Sequence, residues 1–231
     1  MKLPMKECAP SEPVVFVIDD DASVRDSLKN LLESVGLRAE LFDSPQSFTQ
    51  AHLPDSPSCL ILDVRLPGLT GLEFQNQLLK SGVSLPIIFI TGHGDIPMSV
   101  RAMKLGAVEF LTKPFRDQDL LEAVRVGLDR DRERRSDEKS RAALHDRFGS
   151  LTAREKQVIG LIATGLSNKQ IAGEIGTSNA TAKVHRANIM RKMQARSLAD
   201  LLRMADVLDI RAWSPRRSTP FDDDGPGATG L

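Results

Sequence analysis

The fold is decided by the stretch Cys59-Leu60-Ile61-Leu62-Asp63, which leads directly into a turn that contains Pro67 and Gly68. A short apolar run closed by proline and glycine is typical of a buried strand. In open α/β sheets, ligands bind outside the carboxyl ends of the strands. This strand would therefore present Asp63 at the position where chemistry usually takes place.

Three further strand-like runs in the first half of the chain also end on polar residues. The runs are 14–18, 87–90 and 108–111, and the polar residues that follow them are Asp19, Asp20, Asp21, Thr91, Thr112 and Lys113. Strands and amphipathic helices alternate five times between residues 13 and 128, and short connections of this kind predict right-handed crossovers. We therefore expect an α/β, doubly wound, five-stranded parallel sheet with these polar residues together at one edge.

This edge has the composition of a phosphoryl-transfer site. Clustered carboxylates without a bulky base suit a hard divalent cation such as Mg²⁺, which prefers oxygen ligands and keeps some of its waters. Such a cation lets a phosphoryl group approach a carboxylate of like charge, and Asp63 is the candidate nucleophile that would form an aspartyl-phosphate. Lys113 would balance the added charge, and Thr91 would sense it.

Each of these residues alone has a simpler explanation. An acidic residue after a strand is more often a turn residue or a helix cap, and a Lys-Pro pair usually lies in a loop. The full order of an acid pair, an aspartate, a threonine and a Lys-Pro on successive strands is far more specific. The alternative is a phosphatase-type enzyme that uses Asp63 as a turnover nucleophile, but the sequence suggests neither an acid that releases product nor a lid.

The first 128 residues resemble the receiver domain of bacterial two-component response regulators. The resemblance is carried by Asp19-Asp20, by the segments 62–68 and 110–115, and by Thr91. It implies that a sensor histidine kinase phosphorylates Asp63, and that Asp20, Asp63 and the backbone carbonyl of Arg65 hold Mg²⁺ with assistance from Asp19. It also implies that Thr91 and Phe110 are paired switch residues, that Lys113 contacts the phosphoryl group, and that Lys113-Pro114 is a cis peptide.

Charge divides the chain into an acidic front and a basic back, although the formal net charge is zero. Residues 13–128 carry ten Lys+Arg against fifteen Asp+Glu, whereas residues 148–210 carry nine against five. This asymmetry predicts two domains with different partners, the second partner being polyanionic. Two cysteines do not make a disulfide framework, and no apolar run approaches the roughly twenty residues of a membrane helix. We therefore expect a soluble, cytoplasmic protein with no membrane partner.

Residues 129–147 predict a helical linker between the two domains. The apolar stripe of the preceding helix nearly vanishes there, while seven basic and six acidic side chains alternate. A helix that is polar all round is normally a solvated spacer, and the balanced charge argues against a nucleic-acid-binding arm. Ala142, Leu144 and Phe148 are expected to pack on the second domain or on another copy of the linker. Residues 1–12 and 211–231 have the composition of disordered ends.

The segment 148–210 predicts four helices, each with its own start signal. Thr152 and Glu155 form a capping box for the first helix, and Ser167, Ser178 and Ser197 are placed to begin the other three. Two short helices joined by a tight glycine-containing turn, the second of them basic, are typical of a helix-turn-helix domain.

The third helix of this segment has two chemically different faces. At about 100° per residue, one side carries Ala182, Ile189 and Met193 and is expected to pack on the domain. The opposite side carries cations, an amide and small apolar groups, at Lys183, Val184, Ala187, Asn188 and Arg191. This combination suits base edges and phosphates in a major groove, although a basic face alone would also suit simple solvation.

Residues 151–208 resemble the NarL/LuxR-type DNA-binding domain through the motifs at 151–155, 165–172 and 181–193. With the receiver-like half and the long charged linker, the resemblance is to the FixJ/StyR subgroup. It implies that Lys183, Val184 and Ala187 face the bases of double-stranded DNA. The residues that would lie near the DNA backbone are Asn168, Lys169, Thr181, His185 and Arg186. The fourth helix would form the contact between two DNA-bound copies.

These patterns together predict a phosphorylation-activated, DNA-binding transcriptional regulator and not an enzyme. A phosphoryl group on Asp63 would attract Thr91, and Phe110 would move inward into the vacated space. The face that contains residues 97–106, Phe110 and the fifth helix would then form a homodimer. By analogy with the subgroup, the regulator would be an activator that contacts RNA polymerase. The rival hypothesis is a DNA-binding protein whose receiver fold is only a docking or dimerisation module, independent of phosphorylation.

Overall fold

The computed structural model describes residues 12–210 of the 231-residue chain. The described part divides into two compact units between Asp137 and Glu138. Except for Glu12, the predicted disordered ends 1–12 and 211–231 lie outside the described residues. None of the helices in residues 12–210 combines the length and the apolar character that a membrane crossing requires.

The first unit is built on five parallel strands, β1 to β5. Their bounds are Val14–Ile18, Arg38–Phe42, Ser58–Asp63, Ile87–Thr91 and Glu109–Thr112. The strand order is β2-β1-β3-β4-β5, and every neighbouring pair is parallel. The predicted doubly wound, five-stranded parallel sheet is confirmed, with β3 at its centre.

Helices α1 to α5 connect and cover the strands. Their bounds are Ala22–Ser34, Pro45–Gln50, Gly71–Lys80, Ile96–Lys104 and Asp117–Gly149. Every residue of β1, β3 and β4 is buried, so these strands read as continuous apolar runs. Side chains alternate across each strand and feed two cores, one rich in phenylalanine and one mostly aliphatic.

Two short helices carry a proline in the first turn, next to a capping residue. α2 begins at Pro45, where the Ser44 hydroxyl caps it by accepting the N–H of Ser47. α4 begins at Ile96, where the Asp95 carboxylate caps it by accepting the N–H of Met98. Proline is favourable in the first turn of a helix. β5 begins at Glu109, one residue later than the predicted run 108–111.

The long helix α5 differs from the expected solvated linker. It runs without a break from Asp117 to Gly149 and so includes the whole predicted linker. Asp131 is fully buried, and its Oδ2 accepts the backbone N–H of Ser58 at 2.9 Å. The same carboxylate pairs with Arg134 and Arg135. The first two turns of the predicted linker therefore pack on the first unit, because one carboxylate satisfies the first amide of β3.

In the described residues of the second unit, four helices follow the end of α5, and α6 to α9 have the bounds Ala153–Ala163, Asn168–Glu174, Asn179–Met193 and Leu198–Val207. Each predicted start is confirmed, since the capping hydroxyls accept backbone N–H groups at Thr152, Ser167, Ser178 and Ser197. Leu144 and Phe148 pack in the core of this unit, which confirms one of the two alternatives for them, whereas Ala142 is exposed. The helix pair α7 and α8 has the predicted helix-turn-helix order.

Candidate functional site

Four strand ends bring the predicted acidic pocket together. Asp19 follows β1, Asp63 ends β3, Thr91 ends β4 and Lys113 follows β5. Because all five strands are parallel, these ends lie at the same edge of the sheet. Carboxylate oxygens of Asp19, Asp20 and Asp63 all lie within 4.8 Å of one another. The acid pair and Asp63 thus form one cluster, as a shared cation site requires.

Two of the three carboxylates are held by the same lysine. The Lys113 ammonium group donates to Asp19 Oδ2 at 2.7 Å and to Asp63 Oδ2 at 2.9 Å. The second oxygen of each carboxylate accepts a backbone N–H at 2.9 Å, from Asp21 and from Arg65 respectively. Each carboxylate is therefore oriented by one ammonium group and one backbone amide.

The pocket carries more negative than positive charge. Burial raises the pKa of Asp19 and outweighs the hydrogen bonds from Lys113 and from the backbone of Asp21, which lower it. Burial alone would lower the pKa of Lys113, but hydrogen bonds to Asp19 and Asp63 raise it above its ordinary value and keep the ammonium group charged. The three clustered carboxylates form an all-oxygen donor set, which fits a hard divalent cation. The Lys113-Pro114 peptide is cis, as the resemblance implies.

The two predicted switch residues lie on neighbouring strands, β4 and β5. Thr91 is fully buried, and its hydroxyl oxygen accepts the N–H of His93 at 3.3 Å. Phe110 is half-buried, and its ring centroid lies 6.2 Å from that of Phe89. Phe110 pairs with Phe89 in the sheet and Thr91 pairs with Thr112. Paired residues on neighbouring strands share one face of the sheet, and so do residues two positions apart on one strand. Phe110 is paired with Phe89, and Thr91 lies two positions after Phe89, so Thr91 and Phe110 are on the same face.

The second candidate site is the outer face of α8. The inner face is buried, at Ala182, Ile189 and Met193. The predicted DNA-facing residues of α8 are exposed at Thr181, Lys183, Val184, Ala187 and Arg191, and half-buried at His185, Arg186 and Asn188. Val184 is 58% exposed, so an apolar side chain stands among cations on this face. Such a face can contact phosphates and a thymine methyl group together.

The start of α7 belongs to the same surface as α8. Arg186 Nη1 donates to Asn168 Oδ1 at 3.1 Å, which ties the middle of α8 to the first residue of α7. Lys169, the next residue of α7, is exposed. Within α8, Arg191 Nη2 donates to Asn188 Oδ1 at 3.2 Å. The structure therefore joins the predicted contacts of α7 to those of α8 through Asn168 and Arg186.

Sequence reasoning missed Lys192, which holds α8 against α6. Its Nζ donates to Glu155 Oε2 at 2.7 Å, and the same oxygen accepts the backbone N–H of Thr152 at 2.8 Å. Burial alone would raise the pKa of Glu155, but the hydrogen bonds from Lys192 and Thr152 outweigh it and keep the pKa below its usual value. The capping box was visible in the sequence, whereas no local pattern connects residue 155 with residue 192.

Comparison with known proteins matches a family to each of the two units. The family described as "Response regulator receiver domain" matches residues 15–125, and "Bacterial regulatory proteins, luxR family" matches residues 149–205. Nodulation protein W of Bradyrhizobium diazoefficiens is 54% identical over 88% of this chain and 90% of its own length. Transcriptional regulatory protein FixJ of Azorhizobium caulinodans is 45% identical over 94% of this chain and 99% of its own length.

A solved structure of the response regulator StyR is 51% identical to the chain, with a TM-score of 0.76, and the match covers 85% of this chain and 99% of that one. A receiver domain implies a histidine kinase partner, and a LuxR-type domain implies DNA binding. The FixJ relative is named a transcriptional regulatory protein, and both matched families are regulatory and not enzymatic. The chain belongs to the response regulators, as a FixJ-like transcriptional regulator that joins a receiver domain to a LuxR-type DNA-binding domain.

Proposed function

We propose that this protein is a transcriptional activator that is switched on when a sensor histidine kinase phosphorylates Asp63. One observation carries the proposal. The Asp63 carboxylate ends the central strand, lies in one cluster with the acid pair, and accepts a hydrogen bond from Lys113. A carboxylate placed in this way has beside it both an acidic cluster suited to a cation and an ammonium group that can receive new negative charge.

We propose Mg²⁺ as the cation of this pocket. Asp20, Asp63 and the backbone carbonyl of Arg65 would hold it, and Asp19 would assist. The support is a donor set that consists only of oxygen atoms, with the three carboxylates within 4.8 Å of one another. When bound, the cation supplies positive charge that lets a phosphoryl group approach the carboxylate.

Lys113 is proposed to contact the phosphoryl group. Its ammonium group is shared between Asp19 and Asp63, and those two hydrogen bonds raise its pKa. A phosphoryl group on Asp63 would add further acceptor oxygens beside a lysine that is already charged. Lys113 would then exchange its bond with Asp63 Oδ2 for one with the new group.

Thr91 and Phe110 are proposed to report the modification to the surface. Thr91 would move toward the phosphoryl group, and Phe110 would move inward into the vacated space. The surface that changes would include α4, where Ile96, Val100 and Met103 are 79%, 46% and 44% exposed. Exposed apolar side chains on one helix support a protein-binding surface, and we propose that it forms a homodimer.

The dimer would place two copies of the α8 face on a two-fold DNA site. Once one copy is bound, tethering makes binding of the second copy intramolecular, so dimerisation alone raises the affinity. The residues proposed to contact DNA are Lys183, Val184, Ala187, Asn188, Arg191, Asn168, Lys169, Thr181, His185 and Arg186. By analogy with the family, RNA polymerase is the proposed target of the DNA-bound activator, and the cytoplasm is its proposed location.

The test is phosphorylation of the full-length chain by acetyl phosphate with Mg²⁺, followed by intact-mass measurement and light scattering. The unchanged protein is expected to gain one phosphoryl group and to dimerise, whereas Asp63→Asn should do neither because the amide cannot act as the nucleophile. Asp26→Asn is the matched control, since Asp26 is exposed on α1. Dimerisation of Asp63→Asn to the same extent as the unchanged protein would refute the proposed switch.

A further inference from the structure

The loop between β4 and α4 contains two glycines with different surroundings. A Cβ atom built on Gly94 would lie 2.8 Å from Cε1 of Phe110, 3.0 Å from Cγ2 of Thr112 and 3.1 Å from Cγ2 of Thr91. A Cβ built on Gly92 would meet nothing within 4 Å. Ordinary van der Waals contacts of a Cβ begin at 3.4 Å. Of these two loop glycines, Gly94 therefore lacks room for a side chain and Gly92 does not.

Backbone conformation does not explain the glycine at position 94. Neither Gly92 nor Gly94 is among the described glycines with positive φ. An alanine would therefore meet no left-handed strain at either position, and the contacts alone distinguish the two. The three nearest atoms to the Gly94 position belong to Phe110, Thr112 and Thr91, and two of these three are the proposed switch residues.

We propose that Gly94 is a positioning residue of the switch, because its missing side chain keeps open the gap that the Phe110 ring and the Thr91 methyl group share. The proposal rests on the proposed function and names a determinant of its regulation. Thr91 and Phe110 lie on the same side of the sheet, and Phe110 must approach the position that Thr91 vacates. A Cβ at residue 94 would stand in that path.

The Phe110 ring is the neighbour that would give way. Thr91 and Thr112 are β-branched and stiff at χ1, and they are paired with each other in the sheet. The Lys113 N–H also donates to the Thr91 carbonyl at 2.7 Å, which fixes the ends of these strands. Phe110 is half-buried, and Cε1 of its ring is the atom nearest to the added carbon. An alanine at 94 would therefore displace the ring while leaving the carboxylates of the pocket in place.

The experiment compares full-length Gly94→Ala and Gly92→Ala with the unchanged protein after treatment with acetyl phosphate and Mg²⁺. Intact mass gives the phosphorylated fraction, and sedimentation at matched fractions gives the dimer dissociation constant. Overpacking of this kind costs enough that we expect about tenfold or more weaker dimerisation for Gly94→Ala at an unchanged phosphorylated fraction. Gly92→Ala should dimerise like the unchanged protein.

Two results separate this inference from the proposed function. The unchanged protein and Gly92→Ala should both dimerise on phosphorylation. If the dimer dissociation constant of Gly94→Ala is then within about twofold of theirs, the effect is well below that of overpacking. In that case the inference is refuted and the proposed function stands. If the unchanged protein is phosphorylated but remains monomeric, the proposed function fails and the inference fails with it.

A second pair of variants tests whether the effect acts through the ring. Leucine at position 110 lacks the ring atom that the added Cβ meets, so Gly94→Ala should have little further effect on dimerisation in a Phe110→Leu background. An equal loss in both backgrounds would overturn the inference. If Gly94→Ala alone does not fold, recovery of folding in the double variant supports the contact, and failure of both variants to fold refutes it.

Discussion

Replacing Asp131 by alanine should destabilise the first unit by about 3 kcal/mol. The carboxylate is fully buried, accepts the Ser58 N–H at 2.9 Å, and pairs with Arg134 at 2.5 Å and with Arg135 at 2.6 Å. Alanine would leave the buried Ser58 amide without its acceptor, which costs about 1–3 kcal/mol. The two arginine side chains are 29% and 22% exposed, so solvent weakens their contribution to about 0.5–1 kcal/mol each.

Asp129→Ala is the matched control for this substitution. Asp129 lies two residues earlier in α5 and pairs with Arg132 at 2.6 Å, but the two side chains are 51% and 47% exposed. A surface pair of this type contributes about 0.3–0.5 kcal/mol. Both substitutions replace aspartate by alanine within the same helix, so the gain in helix propensity cancels in the comparison.

Scanning calorimetry of the full-length variants measures the effect, because 3 kcal/mol corresponds to a fall of about 10 °C in the unfolding temperature of a unit of this size. Hydrogen exchange of a peptide that contains Ser58 gives a local measurement, and its amide should exchange faster in Asp131→Ala. Surface substitutions usually change the free energy of unfolding by less than about 0.5 kcal/mol. If Asp131→Ala and Asp129→Ala differ in stability by less than this amount, the buried carboxylate does not anchor α5.

Three further predictions concern the DNA-binding unit. Glu155→Gln should lower its stability by about 1–3 kcal/mol at neutral pH, since Lys192 loses its carboxylate partner. The pKa of Glu155 is lower in the folded than in the unfolded protein, so this stabilisation is present above the ordinary pKa of 4.5 and is lost as pH falls through the folded pKa. The unfolding temperatures of the two proteins should therefore converge in acid. A difference that stays constant with pH would contradict the assignment. Arg186→Ala should reduce the slope of log affinity against log salt by about 0.9, as measured by fluorescence anisotropy. Arg141→Ala, at an exposed position of α5, should leave the slope unchanged. Lys183→Ala should weaken binding to a selected site by about 1–3 kcal/mol and relax its base preference in a selection from random duplexes, and an unchanged preference would place Lys183 away from the bases.

The parts of the fold that the sequence predicted are those with a local cause. Continuous apolar runs predicted the buried strands because both faces of a parallel sheet are covered. Hydroxyl residues at helix starts predicted the four caps of the second unit, because a cap is formed within three residues of sequence. The acidic pocket was also predictable, since each of its residues ends or follows a strand and parallel strand ends share one edge.

Asp131 shows why the linker was harder to predict. Its sequence context is an alternating charged run, which is typical of a solvated helix. Its burial depends on an amide 73 residues earlier in the chain, at the start of β3. Lys192 presents the same difficulty, because its partner Glu155 lies 37 residues away on another helix. Polar contacts between distant segments leave no periodic pattern, so charge alternation alone cannot separate a buried acid from its exposed neighbours.

The two loop glycines show the same limit at the scale of one carbon atom. Gly92 and Gly94 flank His93 in the loop between β4 and α4. The presence of glycine in a loop is usually explained by a backbone with positive φ. The local sequence gives no other reason for glycine at these two positions. The structure separates the two residues because the Cβ direction of Gly94 points at the ends of β4 and β5, whereas that of Gly92 points into open space. The size of a loop residue can therefore be limited by strand residues that come close to it only in the folded protein.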